Sequence, residues 1–113
     1  MQCTLSDPNL LNTLELCTTQ QNTLAELAKA VGHPARVKIL HILSLLEQQG
    51  GCLNADLVEH LQLAQSTVSE HLSILKKANL VKAITIGKKS CYVFNRERLN
   101  NLNTLTNTLF YNL

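Results

Sequence analysis

Apolar residues fall three and four apart along most of this chain and change to alternation near Leu80. Leu10, Leu11 and Leu14 follow Ser6-Asp7-Pro8, where a capping side chain precedes a proline at the first helical position. Thr18-Thr19 interrupts that helix before Leu24, Leu27 and Val31 resume the period, and Gly32-His33-Pro34 breaks it again. The next helix starts at Pro34, with Val37, Leu40, His41 and Leu45 on one side and Ile39, Leu43 and Leu46 widening the apolar face. Gly50-Gly51 stops it by supplying positive φ. Asn54 is expected to cap a helix to Leu61, with Leu57, Val58 and Leu61 in its core. After Gln62-Leu63-Ala64 a longer helix runs to about Ala78. It offers a capping-box spacing at Thr67 and Glu70, and Asn79 as its left-handed terminator.

From Leu80 the period is that of strands. Leu80 to Ile86 and Ser90 to Phe94 read as a hairpin joined at Gly87-Lys88-Lys89. In the tail, Leu99, Leu102, Leu105 and Leu109 form a helical seam among asparagines and threonines that favour helix poorly. Such a helix holds only by packing its leucine edge, most simply against the same region of a second subunit. The alternation at Thr104-Leu105-Thr106 leaves a strand open there.

The helix through Thr67 carries the candidate chemistry. At about 100° per residue, Ala64, Val68, Leu72 and Leu75 share one stripe. Ser66, Ser69, Glu70, Ser73, Lys76 and Lys77 fall opposite. Small hydroxyls and cations without large apolar groups fit a DNA groove, where they bond base edges and phosphates. With the preceding helix across a short turn, this is a helix-turn-helix, and the hairpin after it is a wing.

Composition narrows the classes. A chain of 113 residues with 45% hydrophobic but only 4% aromatic residues makes one domain, 1–113, with an aliphatic core. The net charge of +2 says little, but Lys76, Lys77, Lys82, Lys88 and Lys89 crowd a stretch that holds no acid. The alternatives for the wing lysines are phosphate contact and solvated edge protection. The start of the chain has neither a cationic opening nor an apolar run, and nothing reaches the ~18 apolar residues of a span. A cytoplasmic protein with no membrane partner and reduced thiols is expected. No Gly-rich phosphate loop, Ser/His/Asp order or paired metal histidines points to an enzyme.

The order of elements resembles the ArsR/SmtB family of winged-helix repressors over roughly Leu24 to Asn95. Val31 to Leu40 looks like the family's opening, where an Arg precedes a Leu/Ile-rich helix. Leu57 to Leu61 and Gln65 to Leu75 are similar to its helix-turn-helix signature, and Ala78-Asn79-Leu80-Val81 to the approach to the wing, with Asn where Gly is usual. The resemblance implies a mainly α fold with a small β-hairpin wing. It also implies a homodimer paired through helices at about 8–31 and 97–113, a helix-turn-helix at about 54–78 and a wing at about 80–95. The implied partner is double-stranded DNA with an inverted repeat, released by an inducer. The residues expected at DNA are Gln65, Ser66, Thr67, Ser69, Glu70 and His71 on the helix, and Lys88 and Lys89 on the wing. Glu70 could accept from a cytosine amino group or lean toward Lys76 or Lys77. His71 lies nearer the buried edge and reads equally as a packed histidine. His33, His41 and His60 read as a cap, a core-edge residue and an exposed helix residue.

The thiols leave three readings. Sensors in this family bind thiophilic ions, As(III), Cd or Pb, through Cys thiolates. Here Cys52 keeps a thiol near the usual place without the paired Cys-x-Cys, and Cys17 could join it across the dimer, with Cys3 or Cys91 as a third ligand. Thiol oxidation is the second reading, and cysteines with no regulatory role the third. The terminal helix has no His and no acid after Glu97, which argues against the zinc cluster of other relatives. The rival functions are a winged-helix protein-interaction module and a constitutive regulator that senses no ligand.

Overall fold

A computed structural model describes residues 7–111. Cys3, Ser6 and the last two residues of the expected terminal helix lie outside them. Six helices and three strands follow in order: α1 (Pro8–Leu16), α2 (Thr18–Val31), α3 (Pro34–Leu45), a 3-10 turn (Glu47–Gln49), β1 (Cys52–Leu53), α4 (Asn54–Leu61), α5 (Gln65–Lys77), β2 (Val81–Ile86), β3 (Lys89–Phe94) and α6 (Arg96–Phe110). The helix-turn-helix is α4–α5, and β2–β3 is the wing.

Helix starts follow local chemistry. Before Pro8 the Asp7 carboxylate accepts from the Asn9 N–H at 2.9 Å, and before Pro34 the His33 Nδ1 accepts from the Ala35 N–H at 3.0 Å. Two expected caps do not form. Asn54 is already helical, Leu53 stands at the cap without a side-chain bond, and Asn54 Oδ1 is buried with no partner. On α5 the cap is Ala64, whose carbonyl accepts from the Thr67 and Val68 N–H groups, so Thr67 and Glu70 are inside the helix and make no capping box. Asn79 is left-handed as expected, with φ 62°, and Gln62 closes α4 in the same way at φ 55°.

The antiparallel wing pairs Val81 with Phe94 through to Ile86 with Lys89, leaving Gly87 and Lys88 as the turn. Lys89, expected in the tip, is therefore in the ladder, and the strand begins one residue earlier than expected. β1 joins β3 on its other side, giving the order β1-β3-β2. Two residues long, β1 is absent from the sequence reading. It is admitted by Gly51, whose φ is +97° and whose added Cβ would collide with the Tyr92 carbonyl oxygen.

The core joins α2 to α5 and the base of the wing: Leu27, Ile39, Leu43, Leu57, Val68, Leu72, Leu75, Leu80 and Val81 are wholly buried. Each such side chain contributes about 1.5–3 kcal/mol. The expected face of α3 is corrected: Ile39, Leu40 and Leu43 point inward, whereas His41 is exposed and Val37 and Leu45 are 50% and 67% exposed. The tail is helical over Arg96–Phe110, so the strand at Thr104 to Thr106 is overturned. Asn95 caps it, accepting from the Arg98 N–H, while its amide donates to the Asn79 carbonyl at 2.6 Å. α6 packs along α2, yet neither α1 nor α6 buries a residue fully.

Candidate nucleic-acid interface

The helical period of α5 sorts its residues as the sequence requires. Val68, Leu72 and Leu75 are buried, and Gln65, Ser66, Ser69, Glu70, Ser73, Lys76 and Lys77 are exposed; Thr67 is half-buried. Ala64 belongs to the exposed set, because it precedes the helix. Lys76 and Lys77 stand in the last turn, where cations also complement the helix dipole. Glu70 pairs with neither of them: among the described residues the ion pair found joins Arg96 to Glu47 at 3.0 Å, far along the fold.

His71 departs from the expected contact set. It is only 9% exposed and turned inward, with its Nδ1 3.3 Å from Arg36 Nη1 and its ring against His33. Burial in first place, then His33 and Arg36, push its pKa below the usual histidine value; Glu70 pulls weakly the other way. The side chain is thus packed toward Arg36 and His33, as a packed histidine and not as part of the exposed row.

The wing extends the exposed surface. Lys82, Lys88 and Lys89 are all exposed. Between the wing and the helices lies an open cleft of about 480 Å³, with Lys89 and Ser90 on one side and Asn54, Ala55 and Gln65 on the other. Asn54 and Ala55, which border it, belong to the first turn of α4. Ser90 and Asn54 were not singled out from the sequence. The signal for Ser90 was its place beside Lys89 on a strand, and nothing marked Asn54 beyond its cap-like type.

The thiols are separated. Cys52 and Cys91 stand on neighbouring strands, with Cys52 opposite Tyr92 and Leu53 opposite Cys91, so the two side chains leave opposite faces. Both are buried, and their Sγ atoms donate to the Leu53 and Gly50 carbonyls. Burial above all, then Asp56 and Cys91, raise the Cys52 pKa, which favours the neutral thiol. Cys17 lies elsewhere, at the α1–α2 junction, in a groove of about 770 Å³ with Leu10, Leu14, Leu24, Leu109 and Phe110. Among the described residues no three His, Cys, Asp or Glu side chains are placed to hold a metal. Cys17, Cys52 and Cys91 therefore make no ligand set within one chain, because the fold puts them in three different settings.

No helix among the described residues is long and apolar enough to cross a membrane. Residues 33–83 match the model of the bacterial regulatory proteins of the arsR family. The chain is 38% identical over 85 residues to an HTH-type transcriptional regulator of Methanocaldococcus jannaschii, a match covering 75% of this chain and 92% of that protein. It is 35% identical over 80 residues to the arsenical resistance operon repressor of Staphylococcus xylosus, covering 71% and 73%. Among solved structures, an ArsR-like transcriptional regulator from Rhodococcus sp. RHA1 shares the fold at TM-score 0.68 and 20% identity, with 81% of this chain and 83% of that one aligned.

Proposed function

The chain belongs to the arsR family of bacterial regulatory proteins, DNA-binding regulators of transcription, and from that premise we propose that it is a homodimeric repressor of an inverted-repeat operator. The observation that carries this reading is the exposed polar row of Gln65, Ser66 and Ser69 on α5 together with exposed Lys88 and Lys89 on the wing, Gln65 and Lys89 lining one cleft. On this reading α5 enters the major groove, where Gln65, Ser66, Ser69 and Glu70 reach base edges and Thr67 stands at the rim. Lys88 and Lys89 neutralise phosphates on the wing side. The two copies meet through α1 and α6: a single chain leaves Leu10, Leu11 and Leu14 of α1 exposed and the leucines of α6 only partly covered.

The inducer would act on thiols, as a thiophilic ion or an oxidant. Cys17 is placed for this, because it sits in the apolar groove where the second copy would pack. Cys52 can join it only across the dimer.

Binding to duplexes selected from a random-sequence pool tests the first part. Affinity should fall steeply with salt, as counterions released by phosphate-bound lysines make log K decline with log salt. Failure to select any duplex would end the DNA reading. Adding arsenite, cadmium or peroxide to the reduced complex tests the second. Release by one agent, lost in Cys17→Ser or Cys52→Ser, identifies a thiol sensor, and release by none leaves a constitutive regulator.

A further inference from the structure

Arg36 ties three helices together. Its Nε donates to the Ala30 carbonyl at 2.6 Å and its Nη2 to the Lys29 carbonyl at 3.3 Å, both in the last turn of α2. Its Nη1 lies 3.3 Å from Nδ1 of His71 on α5. A guanidinium offers donors only, so this contact needs a lone pair on Nδ1 and a neutral His71 with its proton on Nε2. His33 leans on the same ring with centroids 4.4 Å apart, and its own Nδ1 is occupied in accepting from the Ala35 N–H. The groups acting on the His71 ring are thus His33, which caps α3, Arg36 from α3 and Glu70 from α5 itself. α2 contributes the two carbonyls that anchor the guanidinium.

We propose that Arg36 and His71 are positioning residues that form a proton-sensitive latch, fixing α5 against the α2–α3 scaffold and making DNA affinity fall in mild acid. The proposal rests on the DNA-binding reading above. Protonating Nδ1 sets donor against donor and cation against cation at the buried His71 ring. The contact opens, and α5 keeps its apolar packing on α2 but loses this polar link to it; α2 is the helix that packs on α6. Two α5 helices in a dimer must lie about 34 Å apart, one turn of DNA, so play at this joint spoils the fit at both half-sites. The folded state favours neutral His71, so the latch is closed above the ordinary histidine pKa and is lost as pH falls through the lowered value. This runs against the bare charge effect, in which added protons strengthen attraction to phosphates.

The test follows affinity for a selected duplex at constant ionic strength from about pH 7.5 to about pH 5.5. The wild type should weaken at least about fivefold over that range. His71→Asn keeps an acceptor close to the place of Nδ1 but does not titrate there, and should change less than about twofold relative to its own value at the higher pH. Wild-type affinity that holds or rises in acid overturns the latch, as does an equal fall in both proteins. If His71→Asn does not fold, Arg36→Gln serves instead, and its acid response must be smaller than the wild type's. If no duplex is selected at any pH, the DNA reading has failed and the latch is judged by urea midpoints. A larger acid loss in the wild type than in His71→Asn supports it, and equal losses overturn it.

Discussion

Gly50 and Gly51 adjoin, both with positive φ, at +86° and +97°, yet they are not equivalent. A Cβ on Gly50 meets nothing within 4 Å, whereas one on Gly51 meets the Tyr92 carbonyl and, at 2.7 Å, Val93 Cγ1. Gly51→Ala should therefore cost roughly 2–4 kcal/mol, combining backbone strain with a clash against β3. Gly50→Asn, in open space and with a residue that tolerates the left-handed region, should cost below about 1 kcal/mol. Urea midpoints at unchanged m-value give both numbers. The sequence showed the glycine pair as a helix stop. Its second task, bringing β1 against β3, was hidden because Cys52 and Leu53 are too few to display a period. His71 was ambiguous for a related reason: a polar ring at the margin of an apolar stripe is settled only by what lies across from it, here Arg36 and His33 from another helix.

At the scale of elements, α5 and the wing were readable because one apolar stripe and one glycine turn leave a single arrangement. α3 was not. With apolar residues all round it, no face stands out, and tertiary packing chose Ile39, Leu40 and Leu43 over Val37 and Leu45. The exposed row on α5 was legible from periodicity, but the cleft shared by Asn54, Gln65 and Ser90 depends on how three elements meet. The proposed division of labour between helix and wing can be checked directly. Changing Lys88 and Lys89 together to Ala should weaken binding to all duplexes alike and flatten the salt slope by about 2. Changing Gln65 or Ser69 to Ala should instead blur the preference among sequences, at about 1–3 kcal/mol per lost base contact, with the slope kept. Anisotropy titrations at several salt concentrations separate the two effects.

Across the whole molecule, the chain measures 58 × 25 × 19 Å with a radius of gyration of 17.8 Å. A chain of this length folded on itself alone would have a radius near 13 Å. The excess fits α1, which stands off the core and leaves Leu10, Leu11 and Leu14 each about two-fifths exposed, and α6, which packs along α2. Leu14→Lys puts a charge into the proposed pairing surface twice per dimer. It should raise the dimer dissociation constant about a hundredfold or more, read by sedimentation at several concentrations. A Leu14→Lys protein that dimerises as the wild type does would place the interface elsewhere.

The groove around Cys17 also bears on dosage. Where two chains must close it before either α5 is usefully placed, operator occupancy at low abundance climbs with the square of the number of chains per cell. Halving synthesis would then cut repression roughly fourfold, a sharper response than one chain acting alone could give.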